Sequence, residues 1–276
     1  MGAVEAWGAA LRSWAIPEEI LRAAPESPWA YPVGVFRTRA EASRAGAASS
    51  SPSPSPSIRR AAEALPEGGS VLDVGSGSGA ASLALVPPAG FVTAVDPMED
   101  MLASFTDLAT AAGVGFSTVQ GSWPHAAGEV EPADVVVCAH VLYNVQDLRP
   151  FVEAMAERAR RRVVVEITRD HPRAWMNDLW MTFWGLARPE RPTADDAQAA
   201  LRELGVRPRR EDCILPRLGH ETREESVAAA RRRLCLTAGR DPEVARALGG
   251  RLWEVDGKWG LGPAEQRAAT LWWDTR

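Results

Sequence analysis

Val71-Leu72-Asp73-Val74-Gly75-Ser76-Gly77-Ser78-Gly79 is a short apolar run that breaks into three alternating glycines. The run fits a buried strand. The glycines permit a tight turn and a close approach of backbone to a ligand. A helical run from about Ala80 to Leu85 follows, so the stretch reads as a nucleotide-handling turn. By itself it also fits a dinucleotide fold, because Gly75, Gly77 and Ala80 satisfy the loose pattern G-x-G-x-x-A.

Downstream, apolar β-type runs alternate with helical ones. Strands are expected at Val71–Val74, Phe91–Val95, Phe116–Gln120, Ala133–Ala139, Arg162–Ile167, Val206–Leu215 and Arg267–Asp274. Helices are expected near Met98–Ala112, Leu148–Ala159, Pro172–Leu186, Ala194–Leu204, Glu221–Leu236 and Pro242–Leu248. This order predicts a doubly wound, Rossmann-like α/β fold: a mostly parallel seven-stranded sheet with helices on both faces. Upstream, Val4–Trp14 reads as an amphipathic helix with Trp7, Leu11 and Trp14 on one stripe. Alternating Ser and Pro from Ala48 to Ser57 read as an exposed linker. The expected organisation is a helical cap segment over 1–47, a linker over 48–57 and the main domain over 58–276. Helical insertions are expected around 172–204 and 221–250.

Composition narrows the function classes. The 276 residues carry 31 Lys and Arg against 36 Asp and Glu, a formal charge of −5, so no overall basic field exists to hold a nucleic acid. Cys138, Cys213 and Cys235 are scattered and odd in number, which suggests neither a zinc site nor a disulfide framework and points to a reducing, cytoplasmic setting. No metal site is expected. The first twenty residues do not read as a secretory signal, and no uninterrupted apolar run reaches membrane-spanning length. The expected partner is a small-molecule substrate, with neither nucleic acid nor membrane, and a homodimer is the possible assembly.

Two acids separate the cofactor readings. Asp73 lies on an otherwise apolar strand, where a charge is costly unless paired. A cationic ligand would offset that cost and a pyrophosphate would be repelled, which favours S-adenosylmethionine over NAD. Asp96 ends the next strand, about 20 residues beyond the loop, where an acid can accept both ribose hydroxyls. The alternative for Asp96 is a helix N-cap ahead of Pro97.

With these residues in place, the chain from about Ile58 to Ile167 resembles the class I methyltransferase superfamily. Val71–Gly79 resembles its first motif and Val95-Asp96 its second. Asp134–Asn144, DVVVCAHVLYN, resembles its fourth. The resemblance implies that Asp73 and the loop Gly75, Ser76, Gly77 and Gly79 line the methionine part of S-adenosylmethionine. It places Asp96, with Pro97 and Met98 beside it, at the ribose. Gly121, Ser122 and Trp123 stand where the family has a Gly-Asp pair facing adenine, so Ser122 departs from the pattern. Trp123 either covers the adenine face or packs in the core.

Methyl transfer from a sulfonium needs alignment and, for a hydroxyl or amine acceptor, a base. His140, followed by Tyr143 and Asn144, sits after the fourth strand and either lines the cofactor or acts as base. After the fifth strand, Glu166, Asp170 and His171 are substrate-side candidates, with His171 the leading base. Trp180 and Trp184 are four apart on one predicted helix and form either a lid on an apolar or aromatic acceptor or core packing. Trp29, Tyr31 and Phe36 of the N-terminal segment are further wall candidates. The competing readings are an NAD-dependent oxidoreductase and a non-catalytic S-adenosylmethionine-binding protein that holds a partner on its Trp-rich helices.

Overall fold

The computed structural model describes residues 1–29, 33–48, 55–215, 219–255 and 257–275. Strands β1 (Ser70–Val74), β2 (Phe91–Asp96), β3 (Gly115–Gln120), β4 (Ala133–Ala139) and β5 (Ala159–Thr168) are parallel. β6 (Arg209–Leu215) and β9 (Gln266–Asp274) complete a seven-stranded sheet of order β3-β2-β1-β4-β5-β9-β6. β9 runs antiparallel to both its neighbours. Each strand named from sequence is present. A short hairpin, β7 (Leu252–Val255) with β8 (Lys258–Leu261), had not been expected.

Strand alternation sends side chains to two cores. On one face Leu72, Val74, Val136, Val163, Val165, Leu271 and Trp273 pack with helices α1 (Ala3–Arg12), α6 (Leu148–Arg158) and α8 (Ala194–Glu203). On the other, Val71, Val92, Val135, Val137, Val164 and Trp272 meet α4 (Pro56–Ala62) and α5 (Glu99–Ala112), with Ala40 of α3 (Val33–Ala48). Trp272 and Trp273 thus face opposite layers. Local chemistry marks the helix ends. α5 starts with Glu99 and Asp100 and ends at Gly113, φ +68°. Capping boxes start α8 (Thr193 with Asp196) and α9 (Arg223–Arg233; Thr222 with Glu225).

A third core lies apart from the sheet faces. It joins Ile16 and Ile20, flanking and within α2 (Glu18–Ala23), to Leu179 and Trp180 of α7 (Asn177–Trp184). Val227 and Ala230 of α9, Val244 of α10 (Asp241–Leu248) and Leu261 of β8 complete it. β5 ends, β6 ends and β9 begins at the same edge of the sheet. The chain between β5 and α8 and the chain between β6 and β9 therefore both leave from and return to the edge that carries the glycine loop.

Three expectations are corrected. The helix from Ala80 to Leu85 is only a single 3-10 turn, Leu83–Leu85, because Pro87 and Pro88 follow at once and Pro restricts the residue before it. Ala48 closes α3, and Ser55 caps α4 by accepting from the Ile58 N–H, so the ends of the supposed linker are helical termini; 49–54 lie outside the described residues. The N-terminal segment also packs into the main core: Trp7 is fully buried and donates its indole N–H to the Val145 carbonyl at 2.8 Å. Among the described residues no helix is long and apolar enough to cross a membrane.

Candidate active site

The glycine loop leaves β1 with Gly75, Gly77 and Gly79 at φ +71°, +51° and +86°, a region that costs other residues energy. Space is as restrictive as conformation at all three, a Cβ on Gly79 falling 2.7 Å from Phe105 Cδ2. A Cβ on Gly75 would lie 2.5 Å from Val141 Cγ2, and one on Gly77 would lie 3.2 Å from the Phe36 ring. The loop is thus clasped between the segment after β4 and helix α3. The amides of Gly75 and Ser76 donate to the Val95 carbonyl at 2.8 and 3.1 Å. The Gly77 amide donates to Asp96 Oδ2 at 2.9 Å, and Met98 N–H donates to Asp96 Oδ1 at 2.9 Å.

Asp96 is not the N-cap of α5, which is Met98 without a side-chain cap bond. Its carboxylate ties the glycine loop to the chain entering α5, and each oxygen keeps a lone pair that a further donor such as a ribose hydroxyl would fill. Ser78 Oγ in the same loop is buried with no hydrogen-bond partner. A bent glycine cradle, a carboxylate with spare acceptor capacity and an unpartnered buried hydroxyl together suit a nucleoside bearing hydroxyl and amino groups. Pro97 and the half-exposed Met98 form the rim.

The Asp73 carboxylate is fully buried and accepts the Ser82 hydroxyl at 2.5 Å. Burial pushes its carboxyl up to about 7, against the Ser82 hydrogen bonds and with a contribution from the Asp96 charge. Ser82 is thus an internal partner of Asp73 that offsets only part of the cost of burying its charge.

At the adenine end the Gly121 amide donates to the Asp96 carbonyl at 3.1 Å. Ser122 is exposed. Trp123 donates its indole N–H to the Phe151 carbonyl at 3.1 Å and packs against the first core, so its ring is anchored on the α6 side.

At the end of β4, His140 has φ +61°, uncommon for a residue with a side chain. Its N–H donates to the Glu166 carbonyl at 2.8 Å, and its Nε2 lies 3.1 Å from Glu166 Oε1. Glu166 Oε2 accepts the Ser57 hydroxyl at 2.5 Å. Burial opposes ionisation of Glu166. The hydrogen bond and charge of His140, the Ser57 bond and the Arg39 charge outweigh it and hold the carboxyl below its usual range. A narrow cavity lined by Ser57, Ile58, Ala81, Cys138 and Glu166 adjoins the cluster.

The remaining candidates are structural. Tyr143 donates its hydroxyl to the Thr168 carbonyl at 2.8 Å and stacks on Trp7, and burial drives its phenol pKa far upward. It is neither base nor acceptor wall. Asn144 is exposed at the end of the turn after β4. His171 stacks on Trp14 with centroids 3.6 Å apart, meets Tyr143 edge-on, and accepts the Arg173 N–H at Nδ1. Desolvation and the charges of Arg173 and Arg188 push it down to about 3, so it stays neutral and is no base at ordinary pH. Arg188 lies over both Trp14 and Trp180. Trp7, Tyr143, His171, Trp14, Arg188 and Trp180 thus form one ladder that ties the first core to the third. Trp180 is buried in that third core, and Trp184 donates to the Leu234 carbonyl at 2.7 Å. Their stripe is interior packing, not a lid. Trp29 is half-exposed beneath Arg173, Phe36 lies on Gly77, and Tyr31 is outside the described residues. A wide groove lined by Val152, Leu204, Arg207 and Trp273 opens at the opposite edge of the sheet, away from these groups.

Residues 71–162 match a family model described as a methyltransferase domain. No curated protein is similar to the chain in sequence. Among solved structures, the YcgJ protein of Bacillus subtilis is similar at 17% identity and TM-score 0.53, covering 79% of this chain and 96% of its own. A protein of Bacillus halodurans C-125 described as a candidate methyltransferase is similar at 15% identity and TM-score 0.52, with coverage of 79% and 96%. These likenesses establish the fold, and the family model covers the glycine loop, Asp96 and His140. Residues 71–162 thus resemble a methyltransferase domain, the kind of domain that takes S-adenosylmethionine as methyl donor, and the chain shares its fold with these structures.

Proposed function

We propose that the chain methylates a small, apolar or aromatic acceptor and that His140 takes the proton lost by the acceptor's hydroxyl or amine. The observation that carries this reading is the contact between the glycine loop and the segment after β4. Val141, adjacent to His140, sits where a Gly75 side chain would be. The only titratable group next to that contact with an accessible nitrogen among the described residues is His140, whose side chain is about a quarter exposed.

The bound cofactor supplies a methyl group already activated by the sulfonium charge. The glycine loop would admit it closely, and Asp96 would accept from its ribose hydroxyls. Glu166, ionised, accepts Nε2–H of His140, which leaves the Nδ1 lone pair to receive a proton. A general base of this kind contributes about 10²–10⁴-fold in rate. Phe36 on the loop and Trp29 beneath Arg173 support an apolar acceptor.

Thermal unfolding with S-adenosylhomocysteine and with NAD tests the cofactor, since a ligand of the folded state raises stability by mass action. Stabilisation by the former alone is expected; stabilisation by NAD alone overturns the reading. Methyl transfer to a panel of phenols, amines and carboxylates, followed by mass spectrometry, tests the acceptor. Activity restricted to polar macromolecules would reject it.

A further inference from the structure

Glu166 is charged, 8% exposed, and sits among apolar neighbours on the central strand β5. Such a position is costly without a task or a full set of partners. Its register partners are Ala139 on β4 and Thr270 on β9, and Thr270 Oγ1 is buried with no hydrogen-bond partner. The carboxylate therefore depends on His140 and Ser57, with the charge of Arg39 on α3 nearby.

The contacts to His140 are double. The Glu166 carbonyl holds the His140 amide while its carboxylate holds Nε2, so one residue fixes both the left-handed backbone and the ring. We infer that Glu166 is a positioning residue that fixes the His140 ring with Nε2–H turned inward and Nδ1 turned to the acceptor, and that Ser57 braces it from α4. This inference rests on His140 acting as the base.

A competing role is mechanical. On the same face Glu211 takes Arg59 and Arg60 of α4, so Glu166 with Ser57 could serve only to dock that helix. The two roles differ in what the imidazole does. A docking role leaves the ring's tautomer to its intrinsic preference, whereas a positioning role selects one nitrogen.

The test uses the full chain labelled with ¹⁵N-histidine. The imidazole resonances are assigned to His140 by His140→Gln and recorded with S-adenosylhomocysteine present. In the wild type, neutral His140 is expected in a tenfold or greater excess of the Nε2–H form, the factor a charge-assisted hydrogen bond supplies. In Glu166→Gln, which keeps the shape and the Ser57 contact, the excess falls at least threefold while S-adenosylhomocysteine still raises Tm. In Ser57→Ala, Tm falls and the tautomer is retained. An unchanged ratio in Glu166→Gln, or an Nδ1–H form in the wild type, overturns the inference. If Glu166→Gln does not fold, the wild-type tautomer and Ser57→Ala still decide, since a tautomer lost in Ser57→Ala would make the brace, and not the carboxylate charge, the determinant. Failure of the underlying reading shows separately, as no stabilisation by S-adenosylhomocysteine in the wild type or as full methyl transfer in His140→Gln.

Discussion

Asp73 gives the sharpest stability test, because its carboxyl is fully buried and its proton should be taken up near neutrality. Burial raises its pKa from 3.8 to about 7. An acid with a raised folded-state pKa binds its proton in the folded state before the unfolded chain does. As pH falls from about 7 to about 4 the folded state gains stability, and as pH rises through that window the gain is lost. About three pH units at 1.36 kcal/mol each gives ~4 kcal/mol, and the group is too deeply buried for solvent screening to reduce it much. Asp73→Asn removes the titration and keeps an oxygen to accept the Ser82 hydroxyl. Guanidinium unfolding of both proteins from pH 4 to pH 8 isolates the residue, since all other groups cancel in the difference. The Asn variant should gain on the wild type by ~4 kcal/mol across the window. Ser82→Ala deletes the donor that favours the charged form, and should move the window to higher pH. A difference that stays flat from pH 4 to pH 8 would refute the assignment of a buried, internally partnered carboxyl at Asp73.

Gly75→Ala places a Cβ 2.5 Å from Val141 Cγ2 at φ +71°, so backbone strain of about 1–2 kcal/mol adds to the displacement of the His140 segment. The expected outcome is a lower Tm and at least a tenfold loss of S-adenosylhomocysteine affinity by calorimetry. His171→Gln should lower Tm through the lost stack on Trp14 yet leave the methyl-transfer rate within a few-fold, while His140→Gln should lower it about 10²-fold or more. Equal losses in the two would reassign the base. Trp7→Ala removes a fully buried indole from the core shared by α1 and the sheet, and should cost about 3–5 kcal/mol in denaturant unfolding. A cost below 1 kcal/mol would make the N-terminal helix a detachable cap.

Strands were readable because buried parallel strands are continuous apolar runs, as in Val135–Cys138 and Val163–Val165, and nothing distant changes that requirement. Helix α3 was not readable: its sequence carries Gly34, Gly46 and several arginines without a continuous apolar stripe, and it is held by contacts such as Ser43 to the Ala80 carbonyl. The β7–β8 hairpin carries a local signal, the dipeptide Asp256-Gly257 between two Trp-bearing runs of sequence. Site roles failed where partners are remote in sequence. His171 looks like a base until Trp14 is stacked on it, 157 residues away by number, and Glu166 gains its meaning only when Ser57 and His140 reach it.

Strand topology separates the two cofactor readings independently of Asp73. A dinucleotide fold builds two similar mononucleotide halves on either side of its switch point, one for each nucleotide. Here β1 to β3 form such a half, ending in the glycine loop and Asp96. The other side is not a second copy. After β5 the sheet continues with the reversed strand β9, and β6 is displaced to the edge. β9 descends from the edge that carries the loop, so the chain before it, with α9, α10 and the β7–β8 hairpin, stays at that edge instead of forming a crossover. At the ends of β4 and β5 stand His140 and Glu166, in contact with each other. A single mononucleotide half fits a single-adenosine methyl donor better than a dinucleotide, without any appeal to the charge on Asp73.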